Sequence, residues 1–245
     1  MGYTYLTNKE SRKAEREVSI MKKGLTEIVF ILDRSGSMGG LEADTIGGYN
    51  SMIAKQRKEK GEAVLSTVLF DDKVEILYDR KPIDKASDLT DNEYYVRGCT
   101  ALLDAIGGAI HHISGIHKVM PEDEKPEKTL FIITTDGMEN ASKKYTYGKI
   151  KKMIEKKKNK HQWEFVFLGA NIDAVAVAGQ FGVDKHHAVT YECDEEGTKL
   201  NFEVMSKMVS MARSCGSAKQ MAACFASDDM LAPIQEDYKK RHKGA

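Results

Sequence analysis

The stretch Ile28-Val-Phe-Ile-Leu-Asp33-Arg-Ser35-Gly-Ser37-Met-Gly-Gly decides the fold of this 245-residue chain. It begins as an apolar strand and ends in Asp-x-Ser-x-Ser, just before a helical pattern starts. One charged and two neutral oxygens therefore meet at the carboxyl end of a strand, where open α/β sheets bind their ligands. Such an oxygen set suits a hard cation, so this stretch predicts a metal site as well as a strand.

Apolar runs and amphipathic helical patterns alternate along the chain, which predicts a parallel sheet covered by helices. The run Leu130-Phe-Ile-Ile is continuously apolar, as expected for a strand buried on both faces. Only Asp71-Asp72-Lys73 separates the second strand from the third, and so short a loop predicts a hairpin and an antiparallel edge strand. We predict strands at 27–32, 63–70, 73–78, 128–135, 163–168 and 187–191, and helices at 41–59, 101–118, 147–158, 172–181 and 197–213.

The fold class predicted from this order is α/β with three Rossmann-like layers. A mostly parallel six-stranded sheet carries one antiparallel edge strand and has helices on both faces. Two helices contain glycine pairs, Gly47-Gly48 and Gly107-Gly108, and each glycine costs roughly 1 kcal/mol relative to alanine. Close contact between helix and sheet is the compensation we expect.

Charge and cysteine content narrow the class of protein. Lys plus Arg equals Asp plus Glu at 37 each, so no net field draws the chain to nucleic acid or to a membrane surface. The basic tract 149–160 has an apolar face, and its lysines are interpreted as the solvated side of a helix. Four cysteines without a C-x-x-C pair indicate reduced thiols, and with no leader-like apolar run we expect a cytoplasmic location.

The chain is predicted to contain one main domain with two flanking segments. Residues 1–24 are a charged N-terminal arm, 25–214 form the domain, and 215–245 form a polar C-terminal tail that we expect to be loosely packed. Three methionines at helical spacing are interpreted as adaptable core: Met205, Met208 and Met211.

Two further turns belong with Asp33-x-Ser35-x-Ser37 at the carboxyl edge of the predicted sheet. Thr100 opens a helix in a Gly-x-Thr-Ala-Leu context, and Asp136 followed by glycine closes the most buried strand. In this order the three turns resemble the metal ion-dependent adhesion site (MIDAS) of the von Willebrand factor A family. The resemblance covers roughly residues 26–191 and is nearest to intracellular bacterial members.

The resemblance implies a Mg²⁺ or Mn²⁺ ion held by the hydroxyls of Ser35 and Ser37 and by Thr100 or Asp136, with Asp33 and Asp136 acting directly or through water. It also implies that a partner protein fills the open coordination position with an Asp or Glu carboxylate. Mg²⁺ retains waters and rarely receives a complete protein cage, which agrees with such a vacancy. We therefore expect a metal-dependent adaptor with no small-molecule substrate.

The residues around the predicted ion divide into two groups. Arg34, Met38, Glu139 and Asn140 are placed to form a rim that contacts the partner, with Arg34 steering an acidic group inward. Asp104, one turn into its helix, is expected to orient a neighbouring loop through hydrogen bonds.

Two other classes of function remain open. A hydrolase or phosphotransfer enzyme could use the same Mg²⁺ as a Lewis acid, and a structural subunit could keep a redundant metal site. The sequence has no phosphate-binding glycine motif, no nucleophile elbow and no paired acid nucleophile, so we expect no catalysis.

Overall fold

The structure is a computed structural model that describes residues 21–227 and 229–243. Its strands are β1 Lys22–Asp33, β2 Ala63–Phe70, β3 Val74–Pro82, β4 Pro126–Thr135, β5 Glu164–Ala170 and β6 Ala188–Tyr191. Its α-helices are α1 Glu42–Arg57, α2 Leu102–Val119, α3 Tyr147–His161, α4 Ala174–Gln180, α5 Glu195–Ser214, α6 Ala218–Ser227 and α7 Ala232–Arg241. No helix within the described ranges combines the length and the apolar character needed to cross a bilayer.

The sheet has the strand order β3-β2-β1-β4-β5-β6. All neighbouring pairs are parallel except β2 with β3, which confirms the predicted antiparallel edge strand. The chain moves outward from β1 in one direction through β2 and returns beside β1 with β4. The carboxyl ends of β1 and β4 therefore flank the point where the strand order reverses, which is where α/β sheets form a binding crevice.

The two central strands are buried on both faces, which explains their continuously apolar sequence. Along β1, Ile28, Phe30 and Leu32 enter one core, while Val29 and Ile31 enter the other. The first core lies under α1, α5, α6 and α7, and the second lies under α2, α3 and α4. The predicted three-layer α/β fold is confirmed.

The glycine pairs have a different structural reason from the predicted contact with the sheet. A Cβ on Gly48 of α1 would lie 2.2 Å from the ring of Phe202 in α5, so this glycine allows two helices to approach. A Cβ on Gly107 of α2 would lie 2.4 Å from the ring of Tyr145 in the loop before α3. The compensation comes from helix–helix and helix–loop packing.

The loose packing expected after residue 214 is wrong for the described part of that segment. Helices α6 and α7 each place apolar side chains in the first core, where Met221 and Ile234 are 0% and 2% exposed. The sequence of this segment looks polar because each of the two helices buries few residues. The division at 24 and 214 stays a prediction, and residues 1–20 lie outside the described residues.

Candidate metal centre

The three predicted turns meet at the carboxyl edge of the sheet. The Gly36 N–H donates to the Gly98 carbonyl at 3.2 Å, which joins the turn after β1 to the loop before α2. The Asn140 N–H donates to the Thr100 carbonyl at 3.1 Å, which joins that loop to the turn after β4. Backbone hydrogen bonds therefore fix the three turns relative to one another, as β1 and β4 are neighbours in the sheet.

The three hydroxyl groups predicted as ligands lie in contact. The oxygens of Ser35 and Ser37 are 3.2 Å apart, and Thr100 Oγ1 donates to Ser35 Oγ at 3.1 Å. A Cβ on Gly137 would lie 3.4 Å from Ser37 Oγ and 3.7 Å from Thr100 Oγ1, so the turn after β4 passes beside the same hydroxyls. The structure thus brings together hydroxyl oxygens from residues that are 65 positions apart in the chain.

The Asp33 carboxylate ties two of these turns together. Its Oδ1 accepts from the Ser35 N–H at 2.7 Å, and its Oδ2 accepts from Thr135 Oγ1 at 2.6 Å and from the Asp136 N–H at 3.3 Å. The side chain is 1% exposed, and this burial raises the pKa of Asp33 although its hydrogen bonds act to lower it. The tyrosine hydroxyl of Tyr94 fixes the backbone by donating to the Asp33 carbonyl at 2.6 Å.

Asp136 is the second buried carboxylate at this edge of the sheet. Its side chain accepts from Asn171 Nδ2 and contacts the Cys193 thiol. Burial raises the pKa of Asp136, and burial together with the neighbouring Asp136 raises the pKa of Cys193. Burial therefore disfavours the ionised form of both carboxylates.

These residues fit a small divalent cation. No lysine or arginine of the described residues forms an ion pair with Asp33 or Asp136, so their buried charge has no cationic partner in the protein. Octahedral coordination at about 2.1 Å places adjacent ligand oxygens about 3.0 Å apart. The hydroxyls of Ser37 and Thr100 lie 3.2 and 3.1 Å from Ser35 Oγ, which is close to that spacing. Within the described ranges no group of three or more His, Cys, Asp or Glu side chains could hold a metal, so a cation at this edge of the sheet would need hydroxyl oxygens as ligands.

Arg34 does not belong to the rim, and the predicted steering role is wrong. The guanidinium is buried and donates to Asp71 at 2.8 Å and to Glu75 at 2.7 Å. The N–H donors of the guanidinium are used by carboxylates of the neighbouring hairpin. The side chain is therefore not available to a partner protein. The sequence shows its position in the turn but cannot show the direction of its side chain.

The other predicted rim residues differ in their exposure. Met38 is 6% exposed, so its side chain offers almost no surface and its predicted rim role is also wrong. The Glu139 carboxylate accepts from the Leu103 N–H at 2.9 Å at the start of α2, so it holds the loop in place. Asn140 is exposed, and its Oδ1 accepts from the Thr100 N–H at 2.9 Å. Asn140 alone of the four keeps both exposure and a direct link to a predicted ligand.

Asp104 forms the loop contacts predicted for it. Its carboxylate accepts backbone N–H groups from residues 143, 144 and 145, each at 2.9 Å. Although burial acts to raise the pKa of Asp104, these N–H donors hold that pKa below its usual value. The loop after β4 is thereby attached to α2.

Sequence reasoning missed four residues that shape the site. Thr135 and Asn171 hold the two carboxylates, Cys193 contacts Asp136, and Met138 is 69% exposed directly after the Asp136-Gly137 turn. Asn171 follows the carboxyl end of β5, and its position there could have indicated a site residue. Cys193 precedes α5 and carries no local signal.

Comparisons with known proteins support the fold. No family model matches the sequence, and no curated protein matches it. Proximal thread matrix protein 1 from the mussel byssus, in a structure with a zinc-occupied MIDAS motif, gives a TM-score of 0.53 at 16% identity, covering 78% of this chain and 47% of that chain. A von Willebrand factor type A structure from Catenulispora acidiphila gives 0.51 at 16% identity, covering 80% and 42%.

A mutant of the PilB minor pilin from Streptococcus sanguinis gives a TM-score of 0.54 at 13% identity, covering 83% of this chain and 63% of that chain. The chain therefore spans less than two thirds of the length of each of these proteins. At these identities the likeness concerns the fold: the chain has the three-layer α/β fold of von Willebrand factor A domains.

Proposed function

We propose that this chain is a metal-dependent protein-binding module. Ser35, Ser37 and Thr100 would hold Mg²⁺ or Mn²⁺ together with Asp33 and Asp136, the two carboxylates acting directly or through water. The observation that carries the proposal is the contact of three hydroxyls beside two buried carboxylates that lack a cationic partner among the described residues. The zinc in the MIDAS motif of the mussel protein supports a divalent ion in this fold.

When bound, the ion supplies a Lewis-acidic coordination position that a partner's Asp or Glu carboxylate fills. The chain's own residues prepare that position. Asp33 keeps the turns after β1 and β4 in register through three hydrogen bonds, and Asn171 orients the Asp136 carboxylate. Because these side chains are already fixed by neighbours, little conformational entropy is lost when a ligand binds.

The partner surface that we propose surrounds the exposed Ser37. Met138 offers an apolar side chain, and Asn140 offers a polar one. In a partner segment, an acidic residue would fill the open coordination position and a neighbouring apolar residue would pack against Met138. Burying a methionine side chain contributes about 1.5–3 kcal/mol. This composition favours a protein segment over a small anion.

Manganese relaxation measures the metal and its open position in one experiment. Mn²⁺ bound to the chain with an exchangeable water raises the relaxation rate of solvent protons, and a carboxylate that displaces that water lowers the rate. We expect saturable Mn²⁺ binding that Mg²⁺ competes away, and a decrease in relaxation on adding acetate but not acetamide. Ser35→Ala is expected to weaken Mn²⁺ binding, because it removes an oxygen donor.

Asp123→Ala provides the matched control. Asp123 is an exposed acid before β4, at the opposite edge of the sheet, and its removal should leave the Mn²⁺ titration unchanged. Equal weakening in Asp123→Ala and Ser35→Ala would show diffuse surface binding and overturn the proposal. Metal-dependent turnover of a phosphate ester or amide would favour the Lewis-acid enzyme instead.

A further inference from the structure

Three sulfur atoms meet at the junction of α5 and α6, away from the oxygen-lined site. Cys215 Sγ lies 3.7 Å from Met211 Sδ and 3.8 Å from Cys224 Sγ. Cys215 is buried, whereas Met211 and Cys224 are partly exposed, so the cluster can be reached from solvent. All cysteines within the described residues are free thiols, and this pair is therefore available as ligands.

Local structure explains why the sulfurs converge. Met211 and Cys215 are four residues apart at the end of α5, a spacing that puts both side chains on one face of a helix. The chain then turns through Gly216 and Ser217 into α6. This helix packs on the core through its buried residues Met221 and Phe225. Cys224, next to Phe225, is thus carried back to the end of α5.

We propose that Met211, Cys215 and Cys224 form a binding site for Cu(I). Two thiols with a thioether are the soft donors that select monovalent copper, whereas the oxygen donors Ser35 and Asp33 select hard ions. Metal–sulfur bonds of about 2.3 Å place the sulfurs of a trigonal site about 4.0 Å apart, close to the observed separations. The two separations measured from Cys215 Sγ therefore need to change by only a few tenths of an ångström.

A buried lysine provides the charge that such a site requires. Lys128 is 1% exposed, and its Nζ donates to the carbonyls of Cys215 at 2.5 Å and Arg213 at 3.0 Å. No carboxylate of the described residues forms an ion pair with Lys128. Cu(I) bound by two thiolates carries one net negative charge, and Lys128 is placed to balance it.

Proton release accompanies binding. Burial, with the neighbouring Cys224, raises the pKa of Cys215 to about 11, so this group is a thiol at neutral pH. Each Cu(I) that binds both sulfurs as thiolates displaces two protons, with no change of oxidation state. Because binding releases protons, affinity should rise with pH.

The test is an anaerobic competition in which the reduced full-length chain withdraws Cu(I) from its bicinchoninate complex. We expect one equivalent to bind and X-ray absorption to show three sulfur neighbours. Cys224→Ser is expected to lose this equivalent, and Met211→Leu to weaken it and to show two sulfur neighbours. Cys99→Ser, which removes an exposed cysteine elsewhere, should bind as the wild type does. Thermal unfolding of each metal-free variant checks folding.

Three results would overturn the site. The wild type could leave the copper with bicinchoninate, or Cys224→Ser could compete as well as the wild type does. The wild type could also ignore copper yet lose two thiols to glutathione disulfide, which would make the two cysteines a redox pair. Because Asp136→Ala should leave copper binding unchanged, failure of this site is separable from failure of the oxygen-lined one.

Discussion

At the scale of single residues, the ion pair of Arg34 and Asp71 shows how one side chain can link the site to the stability of the sheet. Both groups are at most 1% exposed, and the Arg34 N–H also donates to the Phe70 carbonyl at 2.8 Å. The pair fixes the turn after β1 against the hairpin of β2 and β3. A pattern search finds Asp33, Ser35 and Ser37 around Arg34, but the inward direction of the arginine depends on Asp71, which is distant in sequence.

Arg34→Met should therefore lower the free energy of unfolding by about 3 kcal/mol, because it leaves the buried Asp71 carboxylate without its buried partner. Arg97 is the matched control, since its guanidinium also donates to Asp71 at 2.8 Å but is 39% exposed. Arg97→Met should cost much less, because solvent screens this exposed ion pair. Urea unfolding of the two variants measures the difference, and equal losses would contradict the account.

Asp136→Ala should weaken Mg²⁺ binding while leaving the metal-free fold intact. Burial raises the pKa of Asp136 in the folded protein. The protonated carboxyl is therefore compatible with folding at low pH, and this contribution to stability is lost as the pH rises through the raised pKa. Above that pH the ionised carboxylate opposes folding. At neutral pH the metal-free variant should melt at the same temperature as the wild type or higher. Wild-type protein at 100 times the dissociation constant of Mg²⁺ should gain about 2.7 kcal/mol, and the variant less.

Thermal unfolding with and without Mg²⁺ measures both effects in the same samples. A large fall in the melting temperature of the metal-free Asp136→Ala protein would show that this carboxylate serves the fold rather than a cation.

At the scale of elements, sequence periodicity predicted the strands and helices whose burial on one or two faces produces a regular apolar pattern. The strands at 27–32 and 128–135 were recognisable because both cores draw on them, and the edge position of β3 followed from a short loop. Helices α6 and α7 were missed because few of their residues reach the core. The chain just before α6 is held by Lys128, which donates to the carbonyls of Arg213 and Cys215, and no local pattern indicates that contact.

The paired glycines of α2 give a matched test of packing. Gly107→Ala should destabilise the protein, because the new Cβ would lie 2.4 Å from the Tyr145 ring. Gly108→Ala meets no atom within 4 Å and should stabilise by up to about 1 kcal/mol through helix propensity. Chemical unfolding of both variants decides the point, and a gain in stability for Gly107→Ala would refute the proposed loop contact.

Glu164 at the start of β5 gives the protein a pH-dependent stability. Burial raises the pKa of Glu164 to about 7, with His187 Nδ1 3.7 Å away and Lys158 acting to lower the pKa. Its stabilising contribution is present below the unfolded value of 4.5 and is lost as the pH rises through about 7. His187 acts in the opposite sense, since burial lowers its pKa below 6.5.

Comparison with Glu164→Gln separates the carboxyl group from the histidine. As the pH rises from 4 to 9, the wild type should lose roughly 3 kcal/mol of its free energy of unfolding relative to the variant. Unfolding at several pH values measures this difference, which would stay constant if Glu164 were solvated.

At the scale of the whole molecule, the candidate site exists because β1 and β4 are neighbours although about one hundred residues separate them. The ordered motifs at Asp33, Thr100 and Asp136 could be predicted, since each turn has its own local pattern. The contacts of Asn171 and Cys193 with Asp136 could not, because they depend on strand order. The sulfur cluster was hidden for a similar reason, because only the docking of α6 brings Cys224 to Met211 and Cys215.

Anomalous diffraction from crystals of the full chain grown with Mn²⁺ tests the central claim most directly. We expect one strong peak within bonding distance of the hydroxyl oxygens of Ser35 and Ser37, about 2.2 Å, with Thr100 or Asp136 as a further ligand. A coordination position facing solvent should hold water or a carboxylate. An ordered site whose three turns hold no peak, at Mn²⁺ concentrations that saturate the protein in solution, would contradict the account.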